Sequence, residues 1–216
     1  CGVAAGLYGI ALALRRPAAG GFWLGTGAGG GFLAKGLLAP GLLGVTVVLL
    51  PLAVPACRSR HFALMLVVAA LSVLPWIGIW PSQLYARSPE LFREWLWDNN
   101  FGRFLGSNDI GPTADRFHYL RILPWYAFPA LPLALWTLWQ GRGRLATPAL
   151  ALPALAAAVI FTVLSLSADA RELYAMPILL PIALLATPAV DTLRRGAARS
   201  EEHTSELQSL AYLVCR

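Results

Sequence analysis

The sequence predicts an all-α membrane protein, a polytopic bundle of helices that crosses a bilayer several times. Of its 216 residues, 57% are hydrophobic and only 13% are charged, and the mean hydropathy is +0.62. A soluble domain carries about 25% charged residues, so this composition indicates a chain that lies in lipid. Apolar runs of about twenty residues also recur, and at about 1.5 Å per residue each can cross a hydrocarbon layer about 30 Å thick.

The apolar runs define the predicted elements in order. The first run ends near Leu14 and is too short to span, so we expect it to be the rear half of a helix whose front half precedes Cys1. The glycines of the next run predict close helix packing, because small residues let membrane helices approach each other. The predicted spans are residues 20–34, 37–56, 62–81, 120–139, 147–166 and 173–190.

One polar stretch, residues 82–116, separates the third and fourth of these spans. Arg93, Glu94, Trp97 and Asp98 follow one another there at helical spacing. This pattern predicts a short amphipathic helix at a membrane surface, with aromatic anchors at headgroup depth. The alternative is a solvated loop between two spans.

Charges are distributed unequally between the two sides of the predicted bundle. One side carries basic turns with a single acidic residue, and the other mixes both signs and includes residues 82–116. Because cytoplasmic loops are enriched in lysine and arginine, the basic side is predicted to be cytoplasmic and residues 82–116 to face outward. The net charge of +6 arises from scattered pairs, which does not indicate a nucleic-acid partner. The basic side collects Arg15, Arg16, Arg58, Arg60, Arg142, Arg144, Arg194 and Arg195.

Four outward residues are candidates for a binding site: Lys35, Arg103, Arg171 and Tyr174. Each has a plain alternative, since Lys35 can extend to the interface, Arg103 can form a loop ion pair, and Tyr174 can belong to an aromatic belt. Together they place cations and a phenol at one membrane face, an arrangement suited to a lipid phosphate. We therefore expect Lys35, Arg103 and Tyr174 to converge on one cavity.

Cysteine and metal chemistry contribute no further candidates. Cys1, Cys57 and Cys215 lie far apart and show no C-x-x-C spacing, so neither a disulfide framework nor a metal site is predicted.

Four motifs, in order along the chain, resemble one family. LAKGLLAP resembles an L-x-K-G-P element, DNNFGRFLG an E-N-x-x-R-F loop, HYLRILPWYAFPALP a YYL…LPW…LP span, and SADARELYAMPILLP an S…R-x-Y-x-x-P-x-x-P element. These are elements of bacterial polyprenyl-phosphate-dependent glycosyltransferases, glycosyltransferase family 39. That group includes relatives of the protein O-mannosyltransferases and of the lipid A aminoarabinose transferase. Two departures are that Leu37 replaces the motif proline and that His118 lies later than the family's histidine, where we expect it to pack.

The resemblance implies a truncated membrane bundle of the glycosyltransferase C type, spanning residues 1–198. It also implies transfer of a sugar from a polyprenyl-phosphate carrier to a lipid A, other glycan or protein acceptor at the outer face of a bacterial inner membrane. Lys35, Arg103 and Tyr174 would contact the carrier phosphate, with Arg171 as a weaker addition. No cofactor follows beyond the lipid-linked donor, and nothing in the sequence supports a divalent metal ion.

The general base of the reaction has no assigned residue in this sequence. The family's catalytic aspartate belongs to a loop expected upstream of Cys1, so neither Asp98 nor Asp109 is assigned to that role, and we expect the chain alone to be inactive. The competing hypothesis is a non-enzymatic polytopic protein, such as a transporter or an assembly subunit. A transporter favours ionisable residues at mid-membrane, whereas here the polar groups crowd one face, which favours the enzyme.

The last residues, 199–216, differ in character from all that precedes them. RSEEHTSELQS is abruptly polar and resembles the translation of a common sequencing-library adapter. We therefore expect residues 199–216 to lie outside the natural domain and to contribute nothing to its site.

Overall fold

The computed structural model describes residues 1–106, 117–168, 171–190 and 192. Asp109, Asp191, the arginine pair at 194 and 195, and the adapter-like residues 199–216 lie outside these ranges, so the predictions made for them stay predictions. The helices are α1 Gly2–Ala13, α2 Pro17–Lys35, α3 Leu38–Ala53, α4 Arg60–Arg87, α5 Pro89–Arg93, α6 Arg103–Leu105, α7 His118–Tyr126, α8 Ala130–Gln140, α9 Pro148–Leu166 and α10, residues 176–190. A π-helix, Glu94–Gly102, joins α5 to α6, and a 3₁₀ turn, Glu172–Ala175, leads into α10.

The fold is an all-α membrane helix bundle, which confirms the predicted class. Within the residues that the structure describes, three helices are long and apolar enough to cross a bilayer: α4, α9 and the continuous stretch Glu172–Val190. A fourth span is formed if α7 and α8 are taken together. The helices α1 and α3 are apolar but shorter.

The predicted span at residues 120–139 is not one continuous helix, because α7 and α8 meet at an angle of 98°. The chain breaks at Ala127–Pro129, where proline cannot donate the backbone hydrogen bond that would continue the helix. The pair still carries the chain from one end of the bundle to the other. It begins near Tyr119, whose hydroxyl hydrogen-bonds Arg171 just after the end of α9, and it ends near the start of α9. These two points are separated by the length of α9, about 28 Å for 19 residues at 1.5 Å per residue.

The glycines of α2 let it pack closely against two neighbours, as predicted. Facing α1, a Cβ added to Gly20 would lie 2.6 Å from the Cα of Ala13. Facing α4, a Cβ at Gly21 would lie 2.8 Å from the Cβ of Val68, and one at Gly25 would collide with the Ser72 side chain and the α4 backbone. Small residues spaced four apart therefore bring α2 and α4 together along their length.

A basic turn connects α3 to α4 at the end of the bundle that we call the basic end. Pro55 has no N–H to offer the carbonyl of Pro51, and the Nε of Arg58 donates to that carbonyl at 2.8 Å instead. The Oγ of Ser59 then caps α4 by accepting from the N–H of Phe62 at 3.3 Å. Arg15, Arg16, Arg60, Arg142 and Arg144 lie in turns or helix ends at the same end of the bundle.

The polar stretch after α4 is helical over most of its described part, which confirms that a helix forms there; its amphipathic character and its place at a membrane surface stay predictions. Ser88 caps it by accepting from the N–H of Leu91 at 3.3 Å, and the helix continues through the π-helix into α6. Trp95 anchors it with edge-to-face contacts, with ring centroids 5.0 Å from Trp80 and 5.7 Å from Phe32. These contacts fix the helix across the ends of α2 and α4.

Beneath this helix lies an apolar groove of about 510 Å³ between α2, α3 and α4. Phe92, Trp95 and Leu96 close the end of the groove that lies against the π-helix, and Leu37 is part of the groove wall at that same end. The side chains that line it are apolar throughout, which is the surface that a hydrocarbon chain prefers.

Candidate functional site: a cation–phenol cluster at one end of the bundle

The candidate residues lie at the end of the bundle opposite the basic end, which we call the site end. Lys35 is the last residue of α2, and Gly36 follows with a φ of 64°, a left-handed conformation that favours glycine. This glycine ends α2 and turns the chain into α3. The ammonium group of Lys35 therefore projects from a sharp turn rather than from the middle of a span.

Lys35 and Tyr174 are in contact although 138 residues separate them in the chain. The Nζ of Lys35 lies over the ring of Tyr174, 5.2 Å from its centroid. Lys35 is exposed and Tyr174 is half-buried in the 3₁₀ turn before α10. A cation over a phenol ring is held by the ring's negative face, so the pair orients the ammonium group and leaves its N–H donors free for a further ligand.

Arg103 begins α6 and reaches the same end of the bundle. Its Nε is buried and has no hydrogen-bond partner. The carbonyl of the next residue, Phe104, accepts from the N–H of Ala168 at 3.1 Å, which ties this helix to the chain just before Arg171. A buried guanidinium N–H without a partner is uncommon, and an anion would satisfy it.

Arg171 is exposed, and its backbone is held by Tyr119. The hydroxyl of Tyr119 donates to the carbonyl of Arg171 and accepts from its N–H, both at 3.2 Å. Tyr119 is only 3% exposed, so this clamp is well buried. It fixes the start of the turn that carries Tyr174.

Asn100, on the π-helix, is a polar residue of the site end that the sequence analysis missed. Its Oδ1 accepts from the N–H of Leu37 at 2.9 Å, and its Nδ2 donates to the carbonyl of Trp95 at 2.7 Å. The only sequence signal was its place in DNNFGRFLG, three residues before Arg103. Asn100 joins the turn after Lys35 to the helix that carries Arg103.

The site end therefore gathers all four predicted residues, while their convergence on one cavity stays a prediction. Lys35 and Tyr174 touch, and Arg103 and Arg171 are tied into the same end through backbone hydrogen bonds. None of the four lines the apolar groove, which ends at Leu37. The polar cluster lies at the mouth of the groove instead of in its wall.

His118 packs as predicted, with its ring edge-to-face against Tyr119 at a centroid distance of 5.1 Å. Its Nε2 is buried without a hydrogen-bond partner. Within residues 1–106, 117–168, 171–190 and 192, no three His, Cys, Asp or Glu side chains gather closely enough to hold a metal ion.

Comparisons with known proteins match this chain to one group of enzymes. It is 33% identical over 199 residues to undecaprenyl phosphate-alpha-4-amino-4-deoxy-L-arabinose arabinosyl transferase 1 of Pseudomonas fluorescens, an alignment that covers 88% of this chain and 34% of that protein. It is 31% identical to the corresponding transferase of Aeromonas salmonicida, covering 94% and 37%, and 36% identical to that of Pseudomonas aeruginosa, covering 80% and 31%. No family model and no solved structure matches the chain.

The fold and these matches define the class: the chain is homologous to part of the polyprenyl-phosphate-dependent membrane glycosyltransferases. Within that class, it is related to the undecaprenyl phosphate-aminoarabinose arabinosyltransferases, which confirms the family resemblance. The chain spans about a third of the length of the curated relatives it matches.

Proposed function

We propose that this chain forms part of an integral membrane glycosyltransferase that moves a sugar, an aminoarabinose as in its relatives, from a polyprenyl-phosphate carrier to an acceptor. The acceptor is lipid A, another glycan or a protein. Lys35, Arg103 and Tyr174, with Arg171 at the edge, bind the phosphate of the carrier. The observation that carries the proposal is the contact between the Lys35 ammonium group and the Tyr174 ring at 5.2 Å.

That contact supports a phosphate site because the ring orients the cation without neutralising it. An acidic partner would consume the positive charge, whereas a phenol ring leaves it available to an anion. The unpartnered Nε of Arg103 adds a second donor at the same end. The apolar groove that ends at Leu37 offers a hydrocarbon-compatible surface beside these cations.

The chemistry proposed is displacement at the anomeric carbon of the donor. The bond between that carbon and the phosphate oxygen breaks, the electron pair leaves with the lipid phosphate, and the acceptor hydroxyl forms the new bond. Cations at the phosphate stabilise the charge that develops on it as it departs. A carboxylate that takes the acceptor proton is expected outside this sequence, so the chain alone is expected to bind carrier without transferring sugar.

The site end is proposed to face the outer side of a bacterial inner membrane. The basic end carries arginines in short turns, whereas the site end mixes Lys35 with carboxylates such as Glu90, Glu94 and Glu172. Basic turns stay on the cytoplasmic side during insertion, which favours this orientation. Labelling with a membrane-impermeant maleimide tests it, using a cysteine placed at Ser88 or at Gly143 in a chain whose native cysteines are replaced by serine. Only the cysteine at position 88 should react in intact cells.

Equilibrium binding tests the phosphate site. The chain is placed in nanodiscs, and its tryptophan fluorescence is followed on titration with undecaprenyl phosphate and, separately, with undecaprenol, which lacks the phosphate. We expect a preference of at least about tenfold for the phosphate, as one charge-assisted hydrogen bond provides. Tyr174→Leu should reduce that preference most, because it removes both the ring face under Lys35 and the hydroxyl. Tyr174→Phe should reduce it less, because it removes the hydroxyl alone.

The chain offers a matched control at the basic end. Arg142 lies over the ring of Trp139 at 5.5 Å, a cation–aromatic pair of the same kind as Lys35 and Tyr174. Arg142→Gln should leave the preference for undecaprenyl phosphate unchanged. Equal affinity of the wild-type chain for the phosphate and the alcohol would contradict the proposed function.

A further inference from the structure

The turn that carries Lys35 is built around the side chain of Asn100. The amide of Asn100 uses both of its polar atoms, with Oδ1 accepting from Leu37 at 2.9 Å and Nδ2 donating to the carbonyl of Trp95 at 2.7 Å. Both partners assign the same orientation to the amide, since a backbone N–H needs an oxygen and a carbonyl needs an N–H. Asn100 is half-buried, so water competes less with these bonds than at an open surface.

Gly36 shows how closely the turn and Asn100 fit together. A Cβ at this position would collide with the Oδ1 of Asn100. Gly36 also has a φ of 64°, which side chains rarely adopt. The glycine is therefore required both for the backbone conformation of the turn and for the approach of Asn100.

Leu37 supplies the N–H that makes the bond to Asn100 available. The family's L-x-K-G-P element, which LAKGLLAP resembles, has a proline at this position. A proline has no N–H and could not donate to Asn100. The φ of Leu37 is −73°, a value that proline also adopts. The turn in this chain is thus held by a hydrogen bond where a proline would hold it by its ring.

From this geometry we infer that Asn100 is a positioning residue, which sets the placement of the Lys35 ammonium group relative to the Arg103 guanidinium. Asn100 bonds to Leu37, which is two residues after Lys35, and Asn100 itself lies three residues before Arg103. This inference rests on the proposed function, because it assigns to Asn100 the task of matching two cations to one phosphate. The side chain itself contacts no ligand in this account.

Binding of undecaprenyl phosphate and of undecaprenol to the chain in nanodiscs tests the inference. Asn100→Ala should weaken binding of the phosphate by about tenfold, the effect of one partly buried hydrogen bond, and leave binding of the alcohol within about twofold. A merely structural role would lower both affinities together. The matched control is Asn99→Ala, because the Nδ2 of Asn99 donates to the carbonyl of Glu94 at 3.5 Å within the same π-helix and does not reach α3.

Two further measurements keep the inference falsifiable if affinities prove hard to compare. In a Leu37→Pro background the bond is already absent, so Asn100→Ala should then cost no more than about threefold in phosphate affinity. Hydrogen exchange at the Leu37 amide should also accelerate at least about tenfold in Asn100→Ala and stay unchanged in Asn99→Ala.

The outcomes separate the inference from the proposed function. If the wild-type chain prefers undecaprenyl phosphate and Asn100→Ala keeps that preference, the inference is wrong and the function stands. If the wild-type chain shows no preference while Leu37 exchange responds to Asn100→Ala, the coupling is real and the proposed phosphate site is wrong. Equal effects of Asn99→Ala and Asn100→Ala would overturn the positioning role.

Discussion

Substitution of Lys35 by glutamine removes the positive charge from the centre of the candidate site while keeping a side chain of similar length. The ammonium group is exposed and lies 5.2 Å from the centroid of the Tyr174 ring. Because an exposed charge is surrounded by a high dielectric, its contribution lies in the lower half of the range for hydrogen bonds to charged groups, about 2 kcal/mol. That value corresponds to about a 30-fold loss of affinity for undecaprenyl phosphate.

The assay is the nanodisc titration with undecaprenyl phosphate, run at low and at high salt. Since salt screens an exposed charge, the wild-type affinity should fall with ionic strength and that of Lys35→Gln should fall less. Lys35→Arg keeps the charge and should bind within about threefold of the wild type, because its donors differ in geometry but not in sign. Binding by Lys35→Gln within twofold of the wild type would refute the assignment of Lys35 to the carrier phosphate.

Three further predictions concern the bundle that holds the site. In thermal unfolding, Gly25→Ala should destabilise the chain by about 1–3 kcal/mol, because the added Cβ collides with α4. The control is Gly30→Ala, which should be neutral or stabilising because the space around Gly30 is open. Trp95→Ala should free the π-helix Glu94–Gly102 from α2 and α4 and accelerate hydrogen exchange along it several-fold; unchanged exchange would contradict the anchoring role of Trp95. Burial raises the pKa of the Cys57 thiol in the turn between α3 and α4. At pH 8 iodoacetamide should therefore alkylate Cys57 more slowly than the exposed Cys1, and equal alkylation rates would contradict the raised pKa.

Much of the fold followed from the sequence because lipid imposes a simple rule on composition. An apolar run of sufficient length predicts a helix, since every backbone polar group must find a partner within its own segment. Residues 62–81, 147–166 and 173–190 all lie within long helices, with bounds that differ by a few residues. The bend between α7 and α8 was missed because hydropathy does not depend on where a proline interrupts the hydrogen bonds.

The sequence allowed the individual residues of the candidate site to be predicted, but not the contacts between them. The family resemblance pointed to Lys35, Arg103 and Tyr174, and their role stays a prediction. That Lys35 lies over the ring of Tyr174 depends on how the end of α2 meets the 3₁₀ turn Glu172–Ala175, which no local pattern encodes. Asn100 was missed because its partners, Leu37 and Trp95, give it a task that only the folded chain defines.

The most direct test of the central claim is a distance between the Lys35 nitrogen and the phosphorus of bound carrier. Lys35 is the single lysine in the sequence, so ¹⁵N-lysine labelling on the side-chain nitrogen reports on this site alone. Solid-state ¹⁵N–³¹P recoupling in nanodiscs of a phosphorus-free lipid, with undecaprenyl phosphate as the sole phosphate, should give a separation of about 4 Å, the value for an ammonium group hydrogen-bonded to a phosphate oxygen. Bound carrier that produces no dephasing from Lys35 would show that the phosphate binds elsewhere and would contradict the account.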